Sequence, residues 1–339
     1  MPLAPGLGYK SFLLIGKETV YGTPPAACNA KCELLSHSFN ANLGTIDDPS
    51  MTSTQLSRRA IGQGGQFVSG SVRVRLNYEG HEHIWRLLLK TNAKTGTGPW
   101  VYTFKEAADA TLASFTLDVG YGDVPTGKVT RFAGCFVTGF RISGQAVGTG
   151  EGGFLTADID FVAATATENT TPMTGGSFPS PQGVQFHHLL RTAGNFKDGS
   201  GAVSEADIML RSFTLTASIP HDTERFYFGS VNAEFPIRNG PLDITFEFEE
   251  EWNSVLLMQK ARANTMTGLK LYFRGALISG VDYRELILEA NAPTASLYNT
   301  DIAGFGAIMH RAGYRLAYSV ADSSAVVVTT KNNINLTDL

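Results

Sequence analysis

The feature that most constrains the fold of this chain is the alternation of apolar and polar residues. From Val68 to Leu76, Val, Gly, Val, Val and Leu alternate with Ser, Ser, Arg and Arg. A period of two places successive side chains on opposite faces of a strand, so one face is buried. The same alternation predicts strands at 155–161, 213–219 and 242–248, and in weaker form at 100–104, 112–119, 135–143, 269–273, 284–290, 313–320 and 325–330. We therefore predict an all-β fold.

Two segments, His81 to Lys90 and Trp252 to Ala263, have apolar residues at helical spacing. Each follows an alternating strand, precedes another, and belongs to a unit that also contains a long polar stretch, 44–65 or 220–240. A repeated order of elements indicates an internal duplication. We predict one short helix in each of two β units.

Chain length supports this division, because 339 residues suit two domains of about 150 residues. Residues 163–207 are rich in Thr, Gly, Pro and Ser and show no sustained periodicity. We predict a first β domain at 1–164, a linker at 165–207 and a second β domain at 208–339.

Composition narrows the function. Charged residues make up 17% of the chain, below the roughly 25% of an average soluble domain, so we expect surface that is buried against neighbouring molecules. The net charge of −4 argues against tight binding of nucleic acid. Three cysteines cannot all pair, and no apolar run approaches the length of a membrane span, so we expect a protein of a reducing cytoplasm with no membrane partner.

The polar stretch at 44–65 is predicted to be a long loop, and loops of that length are usually functional or disordered. Apolar anchors and charges of both signs make it a candidate for contact between subunits or rings. The residues concerned are Ile46, Asp47, Asp48, Met51, Leu56, Arg58 and Arg59. The alternative is a mobile surface loop.

Motifs for catalysis, cofactors and metals are incomplete. Residues 148–153 match the dinucleotide pattern G-x-G-x-x-G, but a predicted strand follows where that pattern requires a helix. Cys28-x-x-x-Cys32 and His187-His188 each supply two of the four ligands of a structural zinc site. We predict no catalytic residues, cofactor or metal, and no enzymatic activity.

Several strings of residues, in order, resemble the tail tube (major tail) proteins of long-tailed bacteriophages. Residues 15–24 read IGKETVYGTP and are followed by a predicted strand at 33–41 and by DDPS at 47–50. Residues 65–71 read GQFVSGS and lead through a strand into the helix that ends in Leu87-Leu88-Leu89. Residues 132–139 read FAGCFVTG and precede a strand pair that closes with DIDFV at 158–162. Residues 177–207 match nothing in this pattern.

The resemblance implies two tandem tail-tube-like β-sandwich or barrel domains, and a structural subunit of the virion. In such proteins the inner sheets of neighbouring subunits join into one barrel around a channel, through which DNA is ejected. A chain with two units implies a trimeric ring with pseudo-sixfold symmetry, stacked into a tube assembled in the host cytoplasm. Its implied partners are copies of itself, the tape measure protein and a tail terminator or adaptor, with DNA only in transit.

An acidic lumen would discourage DNA from adhering. Asp158, Asp160, Asp243 and Glu247 occupy polar positions of predicted strands and are candidates for that surface. An ordinary solvated face is the alternative at each position. Two other functions stay open, a carbohydrate- or cell-surface-binding β-sandwich module, and a glycan hydrolase using Asp158 and Asp160 as acid and base.

Overall fold

The structure is a computed structural model. It describes residues 11–47, 61–106, 114–121, 129–146, 153–176, 182–190, 196–198, 201–202, 209–223, 225–227, 230, 234–251, 259, 262–301 and 308–336.

The described residues form twenty strands and one complete α-helix. These are β1 (Phe12–Lys17), β2 (Ala30–Asp47), β3 (Ile61–Arg75), α1 (Glu82–Leu89), β4 (Thr91–Thr95), β5 (Trp100–Lys105), β6 (Phe115–Gly120), β7 (Val129–Gln145), β8 (Thr156–Ala163), β9 (Thr165–Thr170), β10 (Phe196–Asp198), β11 (Gly201–Ala202), β12 (Met209–Ser218), β13 (His221–Asp222), β14 (Ile237–Arg238), β15 (Asp243–Glu251), β16 (Met266–Ser279), β17 (Asp282–Ala290), β18 (Pro293–Asp301), β19 (Met309–Leu316) and β20 (Val327–Asn332). The prediction of an all-β fold is confirmed.

Six strands of the N-terminal half close into a barrel, in the order β1-β2-β3-β8-β7-β6 and back to β1. Every neighbouring pair is antiparallel. Strands β1 and β6 complete this closure, and β1 is too short and too uniformly apolar to show alternation. In a closed barrel each strand pairs with a neighbour on both sides, so the paired part of the barrel has no open edge.

The C-terminal half is a sandwich attached to that barrel. Its first layer, β12-β15-β19-β18, continues the barrel sheet from β7, and its second layer has the order β11-β10-β16-β17-β20-β5-β4. Leu215 and Phe246 of the first layer face Leu271 and Leu288 of the second across a small apolar cavity. Because β4 and β5 come from the N-terminal half, the second layer contains strands from both predicted units.

Helix α1 agrees with the prediction at 81–90. Its apolar residues Ile84, Trp85 and Leu88 are buried against the core, as the helical spacing requires. The helix ends at Leu89 and is capped by Lys90, whose φ of 74° lies in the left-handed region. Of the second predicted helix, Gln259, Arg262 and Ala263 are helical, and the rest lies outside the described residues.

The loop predicted over 44–65 is shorter than expected. Strand β2 continues to Asp47 and β3 begins at Ile61, so both ends of the predicted loop are strand. Glycines hide this from the sequence: a Cβ on Gly44 would lie 2.4 Å from the carbonyl oxygen of Gly65, so the two strands approach too closely there for side chains. The intervening residues lie outside the described part of the chain.

The segment predicted as the linker, 165–207, contributes β9, β10, β11 and a 3₁₀ turn at Phe186–His188. Strand β9 pairs with β7, and β10 pairs with β16. Backbone bridges also join Gly183 to Asn77 and Leu189 to Phe273. The described parts of this segment are therefore packed against both halves of the molecule. No helix in the described ranges is long and apolar enough to cross a membrane.

Candidate functional site

A sheet of eight strands runs through the molecule and repeats one four-strand pattern. Its order is β2-β3-β8-β7 followed by β12-β15-β19-β18. Strand β2 corresponds to β12, β3 to β15, β8 to β19 and β7 to β18. This is the structural form of the duplication that the element order predicted.

The first two strands of each set pair in the same register. Leu34 of β2 lies opposite Val74 of β3, and Leu210 of β12 lies opposite Glu250 of β15. Each residue of the second pair is 176 positions after its counterpart. The bulges also coincide, because Leu35 is the unpaired residue in β2 and Arg211 is the unpaired residue in β12.

The third and fourth strands repeat equally closely. In the first set Asp160 of β8 lies between Ser71 and Gly139, and in the second set Gly313 of β19 lies between Glu247 and Leu297. Thr138 of β7 and Ser296 of β18 are the bulged residues at matching positions, 158 residues apart. Both sets therefore share pairing, register and bulges.

The two sets join through their end strands. The C-terminal half of β7, from Gly139 to Gln145, pairs antiparallel with β12. The last strand of the first set thus binds the first strand of the second set. Thr216 of β12 lies directly opposite Arg141 of β7 in this junction.

Two strand edges of the eight-stranded sheet have no partner among the described residues. Strand β18 pairs only with β19, and β2 from Leu34 to Asp47 pairs only with β3, since β1 takes the preceding residues. An open edge presents backbone N–H and C=O groups that can pair with another chain. The two edges belong to β18, the last strand of the second set, and to β2, the first strand of the first set. The junction inside the chain likewise joins a last strand, β7, to a first strand, β12.

One face of this sheet packs on the core, and the other is polar and exposed. The four acidic residues predicted for a channel surface, Asp158, Asp160, Asp243 and Glu247, all lie on the exposed face, where they alternate with buried residues. Asp158 lies 3.5 Å from Arg73, and Asp243 accepts two hydrogen bonds from Arg315 at 2.8 and 2.7 Å. Burial and the neighbouring Asp158 raise the pKa of Asp160.

The segment at 220–241 lies between β12 and β15, as 44–65 lies between β2 and β3, and its described residues Glu234 and Phe235 pack on the N-terminal barrel. The Phe235 ring lies 5.3 Å from the Tyr21 ring and 4.9 Å from the Phe136 ring. The Tyr21 hydroxyl donates to the backbone carbonyl of Glu234 at 3.4 Å. Burial is the main cause of the raised pKa of Tyr21. This segment therefore links one set of strands to the other.

Of the residues predicted for contact between subunits, Ile46 is 62% exposed on β2 and Asp47 ends that strand. Asp48, Met51, Leu56, Arg58 and Arg59 lie outside the described residues. Sequence reasoning missed the free edge of β18, since Pro293 to Asp301 contains a bulge that interrupts the alternation.

Two of the strings noted in the sequence meet at Glu18. Its buried carboxylate accepts hydrogen bonds from the backbone N–H of Gly22 and Gly134 at 2.8 Å and from the hydroxyls of Ser114 and Thr116 at 2.5 and 2.7 Å. The strings at 15–24 and 132–139 thus form one structural unit. Among the described residues, no group of three or more His, Cys, Asp or Glu side chains is placed to hold a metal ion.

The comparisons with known proteins agree with this architecture. A family model described as phage tail tube protein matches residues 8–301. None of the curated proteins compared with the chain matches it significantly.

Proposed function

The chain belongs to the phage tail tube protein family, and on that premise we propose that it is a structural subunit that assembles with itself into rings, which stack into the conduit for DNA ejection. The observation that carries this proposal is the repeat with one open edge at each end. The last strand of one chain is suited to pair with the first strand of the next, as β7 pairs with β12 inside each chain.

The register of that contact follows from the junction within the chain. Thr216 faces Arg141 there, and the equivalent residues are Asn40, 176 positions before Thr216, and Asn299, 158 positions after Arg141. Asn40 of one chain would then lie opposite Asn299 of its neighbour. Both side chains are exposed in the single chain.

Repetition of one contact around a closed ring is a head-to-tail assembly with cyclic symmetry. Each chain carries two four-strand sets, so a trimer would present six nearly equivalent sets. We propose this pseudo-sixfold trimer, with a first domain at 1–164, a connecting segment at 165–207 and a second domain at 208–339. The exposed face of the joined sheet would line the channel.

The segment at 44–65 is proposed to bridge subunits or rings through Ile46, Asp47, Asp48, Met51, Leu56, Arg58 and Arg59. The support is the equivalent segment at 220–241, which crosses from its own set to the neighbouring barrel at Tyr21 and Phe136. At the open β2 edge, the neighbouring set belongs to another chain.

The site of action would be the virion of a phage with a long tail, after assembly in the host cytoplasm. We expect the tape measure protein inside the tube, a terminator or adaptor at its end, and DNA in the lumen only during transit. A structural role without catalysis is consistent with the family and with the described face, whose acidic residues Asp158 and Asp243 are engaged by arginines.

Negative-stain electron microscopy of the purified chain tests this proposal. We expect rings or tubes of uniform diameter, with three chains in each ring when its mass is measured. Particles that stay monomeric at high protein concentration would refute the assembly. Rings of six chains would refute the proposed trimer, in which each chain contributes two of six equivalent sets.

A further inference from the structure

Two ion pairs on the exposed face occupy equivalent positions with their charges exchanged. In the first set, Arg73 of β3 lies opposite Asp158 of β8, with 3.5 Å between Nε and Oδ1. In the second set, Glu249 of β15 lies opposite Arg311 of β19, also with 3.5 Å between the charged atoms. Glu249 is 176 positions after Arg73, so a cation on one strand has become an anion.

A second exchange follows at the next position of the same face. Arg75 of β3 pairs with Glu33 of β2 at 2.5 Å, and Glu251, 176 positions after Arg75, pairs with Arg211 of β12. Strand β3 thus contributes two arginines where β15 contributes two glutamates. The sign is exchanged at both positions of β3 and β15, and in each set these charges pair with opposite charges on a neighbouring strand, although Glu33 and Arg211 are not at equivalent positions.

Asp158 occupies a special place in this pattern. It lies opposite Arg73 on one side and opposite Arg141 of β7 on the other. Glu247, by contrast, lies between Thr214 and Gly313, so no cation faces it across either neighbouring strand. Both carboxylates are on the same face, but only Asp158 stands between arginines.

We propose that the carboxylates of this face cover its arginines, so that duplex DNA meets a charge-compensated surface and not a uniformly acidic one. A guanidinium held by a carboxylate has fewer donors left for the bidentate contacts that it otherwise makes with phosphate. DNA affinity grows with the number of phosphates that cations neutralise. Covered arginines therefore let DNA pass, and the inference rests on the proposed function, in which this face lines the channel.

Assembled tubes of three chains provide the test: the unmodified protein, Asp158→Asn and Glu247→Gln. The two variants change the net charge equally, but only Asp158→Asn removes the carboxylate that pairs with Arg73 and lies opposite Arg141. Each tube is mixed with a fluorescent 20-base-pair duplex at about 50 mM salt and sedimented. We expect Asp158→Asn tubes to retain roughly tenfold more duplex than the unmodified tubes, with the excess lost as salt rises. Glu247→Gln tubes should stay within about twofold.

A charge swap keeps the test informative if Asp158→Asn fails to fold. Arg73→Asp combined with Asp158→Arg and Arg141→Asn gives the first set the polarity of the second, where Arg311 lies between Glu249 and Asn299, and its tubes should retain no more duplex than the unmodified ones. Equal retention by Asp158→Asn and Glu247→Gln tubes would overturn the inference and leave the proposed function standing, because net charge alone would then govern binding. Failure of the unmodified chain to form tubes would overturn both.

Discussion

Glu250 of β15 lies 3.4 Å from the Nδ1 atom of His310 in β19, and both side chains are buried. The equivalent residues of the first set are Val74 and Ala157, an apolar pair at the same register. Burial raises the pKa of Glu250 to about 8 and lowers the pKa of His310, so low polarity disfavours the charged form of each group. The second set therefore has a buried ionisable pair at a position where the first set has two apolar side chains.

The raised pKa of Glu250 predicts a pH-dependent stability. The folded state holds this proton up to about pH 8, whereas an unfolded glutamate releases it near 4.5, so the stabilisation is complete below pH 4.5 and lost as pH rises toward 8. Between pH 7 and 8 the free energy of unfolding should fall by up to about 1.4 kcal/mol per pH unit through this group. Urea titrations at several pH values measure the slope, and a Glu250→Gln variant without any change in slope would contradict the prediction.

Copying the first set into the second should stabilise the protein. Replacing a buried ionisable pair by apolar residues of suitable shape is often neutral or stabilising by about 1–4 kcal/mol. We expect Glu250→Val combined with His310→Ala to raise the free energy of unfolding at pH 8 by about 1–2 kcal/mol. The reverse graft, Val74→Glu with Ala157→His, serves as the matched control and should destabilise the first set. A loss of stability in the first double variant would show that the pair is structurally required.

The buried carboxylate of Glu18 predicts a large effect from a small change. Each of its oxygens accepts one backbone N–H and one hydroxyl, from Gly22 and Ser114 on one side and from Thr116 and Gly134 on the other. Glutamine has only one acceptor oxygen, so its amide nitrogen must face one of the two backbone N–H groups.

We therefore expect Glu18→Gln to cost about 2–4 kcal/mol of unfolding free energy, as for a buried donor left without an acceptor. Thermal and urea unfolding measure this loss. Glu247→Gln is the control, since Glu247 is exposed and should change stability by less than about 0.5 kcal/mol. Equal effects of the two substitutions would contradict the role given to Glu18.

Most of the long strands and α1 could be predicted from the sequence because their periodicity is strong, whereas the exactness of the repeat could not. The duplication preserves register and bulges but not residues: Val74 becomes Glu250, and Arg73 becomes Glu249. Backbone pairing does not depend on side-chain identity as long as the buried face remains well packed. The order of elements is therefore the same in both sets, although their residues differ. Barrel closure by β1 was equally hidden, because a strand buried on both faces lacks alternation.

The acidic residues illustrate the same limit at the candidate site. Alternation assigned Asp158, Asp160, Asp243 and Glu247 to polar strand positions, and the four residues share one exposed face. It gave no sign that Arg73 and Arg315 neutralise two of them, because those arginines are far away in the sequence and adjacent only through strand pairing. Charge compensation is a property of the register.

The contact between chains can be tested by cysteine cross-linking at the register that the repeat specifies. Directly opposed residues of antiparallel strands have Cα atoms about 4.5–5.5 Å apart, within the range of a disulfide. We expect the Asn40→Cys/Asn299→Cys variant to give covalent dimers and trimers under oxidation, and nothing larger, on non-reducing gels. Background should be low because Cys28, Cys32 and Cys135 are buried.

Two control pairs separate register from proximity. Arg141→Cys/Thr216→Cys is the equivalent pair inside one chain and should cross-link without forming oligomers. Ser38→Cys/Leu297→Cys should not react between chains, because the repeat places Ser38 opposite Asp301, about 13 Å along the strand from Leu297. Efficient cross-linking of this displaced pair, or a ladder that continues beyond trimers, would refute the edge-to-edge contact between β18 and β2 in a closed ring of three.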